Sequence, residues 1–163
     1  MNTPYIEIKL ASQRLCLRDD NSLLMEVAIS SARNGPGERG GSECTPRGRH
    51  IIRAKIGAGC DENTVFVGRR PTGEIYSKAL SEHFPGRDWI LTRILWLSGI
   101  EKGRNRLGDV DSMRRYIYIH GSPDEEAIGQ TGSRGCIRMR NKDVMRLFDL
   151  VNVGTCVHIM EGT

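Results

Sequence analysis

The chain has 163 residues, which fits one domain with a core large enough to need no disulfide or metal staple. Its 24 Lys+Arg against 20 Asp+Glu leave a charge of +4, and arginine outnumbers lysine 19 to 5. The five cysteines, Cys16, Cys44, Cys60, Cys136 and Cys156, cannot all pair and none are spaced C-x-x-C. That argues against a disulfide scaffold and a zinc ribbon, and no stretch approaches the roughly 18 apolar residues of a membrane span.

The opening residues carry neither a basic n-region nor an apolar run, so no secretory signal is read. The chain is expected in the cytoplasm, or in the periplasm if it is a processed fragment. Tyr5–Leu10 and Arg14–Arg18 alternate as strands, and Leu23–Ile29 returns after a turn at Asp19–Asn21, a hairpin signal. Residues 31–48 are rich in Gly and Pro and read as a loop. Within it Gly35–Gly41 looks like a phosphate cradle, but it lacks the Gly-Lys-Ser/Thr ending and a following helix, so it is expected to be a flexible loop.

Strands are expected at Arg49–Ile56, Thr64–Val67, Glu74–Tyr76 and, deeply buried, Ile90–Leu97, with a helical turn over 77–84. Lys102–Arg115 is polar and reads as an exposed loop. Tyr116–Ile119 is a strand closed by His120-Gly121, followed by a loop over 121–135. Apolar residues at 144, 145, 147, 148, 150 and 151 predict a helix from Asn141 or Lys142 to Val151, with Asn141 as its N-cap. Cys156–Met160 is a closing strand. No repeat or linker interrupts residues 1–163, which read as a single mainly-β domain with one clear helix near its end.

Several residues have plain structural readings. Cys16, Cys156 and His158 are expected to be structural, the two cysteines as core. Cys44, His50 and Cys60 fit no zinc spacing. No segment interleaves arginines with stacking aromatics, so no nucleic-acid partner is expected. The arginine surplus fits a solvated surface, or a cleft for anionic peptides gripped by guanidinium forks. Residues 31–48 and Lys102–Arg115 are the candidate cleft-lining loops.

The chemistry concentrates in Ile117–Met139. Acyl transfer by a thiol needs a thiolate, a base and N–H groups aimed at an oxyanion. Cys136 supplies the thiol and His120 an imidazole expected to lower its pKa. Gly135 allows close approach of the backbone, and the N–H groups of Gly135 and Cys136 are candidate oxyanion donors. Spacing alone leaves this constellation weak.

His120-Gly121, then Ser133-Arg-Gly-Cys-Ile-Arg-Met139, resembles the active-site signature of the L,D-transpeptidase (YkuD-type) catalytic domain. Gln13-Arg14-Leu15, Thr45-Pro46-x-Gly48 and Gly154-Thr155-x-Val157-x-Ile159 match family habits over nearly the whole chain. The resemblance implies a YkuD-like β-sandwich or distorted barrel with a helix after the catalytic Cys loop. It implies Cys136 as nucleophile and His120 as base, its other ring nitrogen held by the Gly121 carbonyl. It implies Ser133 as a positioning residue, and Arg138 as a carboxylate ligand or a brace of the loop. Arg134 stands where His is commoner in the family, which puts a cation beside the nucleophile and favours the thiolate.

The implied substrates are peptidoglycan tetrapeptide stems or free muropeptides, with no metal or organic cofactor, and carbapenem-type β-lactams as inhibitors. With no leader read, water is the expected acceptor, giving an L,D-carboxypeptidase. An amine acceptor would instead give 3–3 cross-links. A non-catalytic peptidoglycan-binding module is the alternative from another class.

Overall fold

Among the first three strands, buried and half-buried residues alternate in β1 (Tyr5–Lys9), three successive residues are buried in β2 (Arg14–Arg18), and Met25 is the buried residue of β3 (Leu23–Ala28). In the computed structural model, which describes residues 3–162, they form an antiparallel meander. The Asp19 carboxylate accepts the Asn21 and Ser22 N–H groups and closes the β2–β3 turn. Then follow β4 (Gly48–Ile56), β5 (Thr64–Val67), β6 (Arg70–Ile75), α1 (Lys78–His83), β7 (Ile90–Gly99), β8 (Tyr118–Ser122), β9 (Ile137–Arg140), α2 (Asn141–Leu150) and β10 (Cys156–Met160).

All ten strands belong to one sheet, in the order β3-β2-β1-β10-β4-β7-β5-β6, with β8 branching from β7 and β9 pairing with β8. The sheet curls into a half-barrel, in keeping with the distorted barrel expected from the sequence. The start and end of the fold are joined by parallel pairing of β1 and β10.

The apolar stripe of α2, Val144, Leu147 and Phe148, packs on Leu95, Leu97, Ile119 and Ile137 of the sheet in the main core. Each such fully buried side chain contributes about 1.5–3 kcal/mol. This layer fixes β7, β8 and β9, and β8 and β9 bear His120 and the end of the cysteine motif.

Several expectations are corrected. The strand β9 was not anticipated, because Ile137–Arg140 is short and runs directly into α2. His120 does not close a strand but lies inside β8. Asn141 is not the N-cap. Arg140 holds that place, and the Asn141 side chain is buried between Thr92 and Asn63. Cys16 is buried, but Cys156 and His158 point outward, opposite in parity to the buried Val157 and Ile159.

The segment 102–115 is not simply exposed. Asn105 and Ser112 are fully buried, and the Ser112 hydroxyl meets Nε2 of the buried His50 at 2.8 Å. Among the described residues no three His, Cys, Asp or Glu side chains are grouped to hold a metal ion, so Cys44, His50 and Cys60 do not converge. Among the described residues no helix is long and apolar enough to cross a membrane.

Candidate active site

The parallel register of β8 and β9 assembles the site. Ile119 pairs with Ile137 and His120 with Arg138. One step before β9, Cys136 comes to rest beside Tyr118, whose N–H donates to Sγ at 3.3 Å, and the thiol faces the Tyr116 carbonyl at 3.4 Å. Strand parity then puts Tyr118, His120, Cys136 and Arg138 on one face. All four line a cavity of about 510 Å³, with Arg69, Asp88, Arg115, Ser133 and Arg134 also in its walls.

His120 Nδ1 lies 2.6 Å from the Gly121 carbonyl, so that nitrogen carries the proton and Nε2 keeps its lone pair. No hydrogen bond joins the ring to Sγ. Any side chain at Gly121 forces its neighbours to shift, because a Cβ there would meet Asn141 Oδ1 and would lie 2.7 Å from the Leu91 carbonyl. Behind it, Thr92 sits at φ +75°, costly for a β-branched residue, where β7 and β8 shift register. Its hydroxyl donates to Asn141 Oδ1 at 2.7 Å and accepts the Asn63 N–H at 3.0 Å. Thr92, Asn141 and Asn63 thus form a polar brace behind the histidine strand.

The turn before Cys136 is stapled by Ser133, whose hydroxyl donates to the Cys136 carbonyl and accepts the Gly135 N–H at 3.1 Å. Gly135 has φ +133°, and its carbonyl accepts the Thr45 hydroxyl at 2.9 Å. The Gly135 N–H is therefore engaged, contrary to the expectation that it is an open oxyanion donor. The Arg134 and Cys136 N–H groups have no acceptor among the described residues and are the open pair. The 31–48 loop is tied to this turn rather than loose. Ser31 O accepts the Ser133 N–H, and Arg33 N–H donates to Ser133 O.

Electrostatics differ from the sequence expectation. Burial pushes the Cys136 thiol up to about 12, opposed by the Tyr118 N–H and reinforced by Asp88. The guanidiniums that lower it are Arg138 and Arg115, not Arg134. Burial also holds His120 below the usual histidine range, against the bond to Gly121. The resting pair is a neutral thiol and a neutral imidazole rather than a preformed ion pair. Such a pair can transfer its proton once an acyl carbonyl draws on the sulfur. Arg138 acts as a brace, 3.2 Å from Asp88 and 3.7 Å from Glu126.

Sequence reasoning missed Tyr118, on the histidine's own strand, and Arg69, Asp88 and the Thr92–Asn141 brace, which the fold brings in from other segments. Arg115 lay in a segment singled out as cleft-lining, and it does line the cavity.

The model of the YkuD L,D-transpeptidase catalytic domain matches residues 3–159. The chain belongs to the L,D-transpeptidase catalytic-domain family. A stretch of 47 residues, 29% of the chain, is 49% identical to the putative L,D-transpeptidase YqjB of Bacillus subtilis and covers 27% of that protein. In fold, this L,D-transpeptidase domain is similar to a mutant of the Enterococcus faecium L,D-transpeptidase, with TM-score 0.58, 18% identity, and coverage of 97% of this chain and 50% of that one. It is also similar to L,D-transpeptidase 3 of Mycobacterium tuberculosis in complex with a faropenem-derived adduct, with TM-score 0.60, 14% identity, and coverage of 98% and 61%. The domain thus spans about half to three-fifths of the solved relatives' length.

Proposed function

We propose that the domain is a cysteine acyltransferase acting on the bond before the terminal D-alanine of a peptidoglycan tetrapeptide stem. His120 Nε2 takes the Sγ proton while Sγ bonds to the carbonyl carbon of the third stem residue. The Arg134 and Cys136 N–H groups receive the oxyanion. The imidazolium then returns its proton to the leaving D-alanine nitrogen as the C–N bond breaks, leaving a thioester on Cys136. The acceptor attacks the thioester, gives its proton to His120, and the C–S bond breaks. No metal or organic cofactor takes part in this scheme. The observation that carries it is His120 Nδ1 tied to the Gly121 carbonyl, with Nε2 left open in the cavity that holds Cys136.

A specific feature bears on the acceptor. A second cavity of about 500 Å³ opens beyond Asp88 and Arg138, lined by Lys78, Glu125 and Glu126. Room for a second peptide on the far side favours an amine acceptor and 3–3 cross-linking. Water, the acceptor expected from the sequence, is the other outcome. Hydrolysis of soluble muropeptides would go with a cytoplasmic location.

Incubation with a tetrapeptide muropeptide tests the reaction. D-alanine release should vanish in Cys136→Ala and persist in Cys16→Ala. No release by the reduced wild-type protein refutes the reaction and leaves a binding module. Cross-linked dimers against tripeptide, read by mass spectrometry, identify the acceptor. Another solved L,D-transpeptidase, in complex with the carbapenem imipenem, supports the further proposal that carbapenem-type β-lactams acylate Cys136.

A further inference from the structure

The catalytic cavity holds more positive charge than its acids answer. Arg69, Arg115, Arg134 and Arg138 line it, and its one lining acid, Asp88, is already paired with Arg138. Arg115 is committed to neutral oxygens: the Gly37, Glu38 and Cys44 carbonyls and the Ser42 hydroxyl. It holds the 31–48 loop in place. Arg134 is exposed and has no fixed partner among the described residues.

Arg69 differs from both. It occupies the tight turn between β5 and β6 at φ +65°. Its guanidinium lies over the Trp96 ring at 4.5 Å and the Tyr116 ring at 5.0 Å, and it donates to Tyr118 Oη at 2.9 Å. Tyr118 is the residue whose N–H holds Cys136 Sγ. Two aromatic contacts and one hydrogen bond fix the plane of the guanidinium, while most of its five N–H donors remain open. No carboxylate pairs with it among the described residues. The result is a pre-oriented, unneutralised fork in the nucleophile's own cavity, the geometry that matches a carboxylate bidentately.

We propose that Arg69 is a specificity-determining residue that grips a carboxylate of the acyl-donor stem. The inference rests on the acyl-transfer reading above. A donor stem offers two carboxylates near the scissile bond: the distal carboxyl of a dicarboxylic diamino acid at position three, and the terminal carboxyl of the leaving D-alanine.

The test compares kcat/KM for D-alanine or D-alaninamide release from three synthetic tetrapeptides. One is unmodified, one is amidated at the distal carboxyl of residue three, and one is amidated at the terminal carboxyl. Wild-type protein should disfavour one amidated stem by roughly tenfold to hundredfold, the size of a lost charge-assisted bond. That ratio should fall towards one in Arg69→Ala and recover only partly in Arg69→Lys, since an ammonium lacks the flat fork. Arg70→Ala, on the neighbouring arginine outside the cavity wall, should keep the wild-type ratio. Ratios within one variant do not depend on how much of it folds. Equal turnover of all three stems by wild type, or an unchanged ratio in Arg69→Ala, overturns the proposal. No release from any stem refutes the acyl-transfer reading itself, and the two failures are therefore distinct.

Discussion

Raising the pH perturbs the Cys136–His120 pair without touching the sequence. With the thiol pushed up to about 12 from an ordinary 9.0, the free protein at pH 7 holds about a thousandfold less Cys136 thiolate than an ordinary cysteine would. His120 does not compensate, because burial also disfavours its charged form. A more basic thiolate is intrinsically more nucleophilic, which offsets about twentyfold to thirtyfold of the deficit. Exchange with a small disulfide reagent should therefore be roughly thirtyfold to fiftyfold slower than for an ordinary thiol. It should climb about tenfold per pH unit from 6 to 10 without a plateau. Mixed disulfides mapped by peptide mass give the rate, with exposed Cys156 as the reference in the same molecule. A Cys136 rate that is fast and flat between pH 5 and 8 would mean a thiolate–imidazolium pair, and the neutral resting state would be wrong.

Three further outcomes are expected. Gly121→Ala forces a methyl against Asn141 Oδ1 and the Leu91 carbonyl, and should cost about 1–3 kcal/mol in urea unfolding together with most of kcat. A stability change below about 0.5 kcal/mol would contradict that packing. Ser133→Ala removes the staple that holds the Cys136 carbonyl and the buried Gly135 N–H, so kcat should fall about tenfold to a hundredfold with KM little changed. An unchanged kcat would show the turn keeps its shape without the hydroxyl. His50 is fully buried and burial lowers its pKa from 6.5 to about 4. The folded state refuses a proton that the unfolded chain accepts, so stability is complete above pH 6.5 and declines as pH falls towards 4, by about 3 kcal/mol. Urea midpoints of wild type against His50→Gln should converge as the pH falls, and parallel curves would count against this linkage.

The strands were legible where apolar and polar residues alternate, as in Tyr5–Lys9, whose Ile6 and Ile8 are buried between half-buried neighbours. Parity is harder to read when both faces carry small or amphipathic residues. In Cys156–Met160 alternation revealed a strand, but nothing local showed that Val157 and Ile159, rather than Cys156 and His158, face inward. Asn141 looked like a cap because a polar residue precedes an apolar period. Its partners, Thr92 and Asn63, lie far away in sequence and draw it inside. The nucleophile and base were legible because they share one short motif. Arg69, Asp88 and Arg115 were not assignable to roles, since only the fold brings three separate segments to one cavity.

The pairing of β8 with β9 has a consequence for how this site tolerates change. Parallel neighbours cannot be joined by a tight turn and need a long return connection. Residues 123–136 provide it. The placing of the base against the nucleophile is set by the hydrogen-bond ladder and not by the length of chain between them. Residues can be gained or lost around 124–129, an exposed stretch, while His120 stays opposite Arg138. The reacting pair is thereby insulated from the length of that connection, which flanks the second cavity through Glu125 and Glu126 and can diversify what is admitted beside a fixed base and nucleophile.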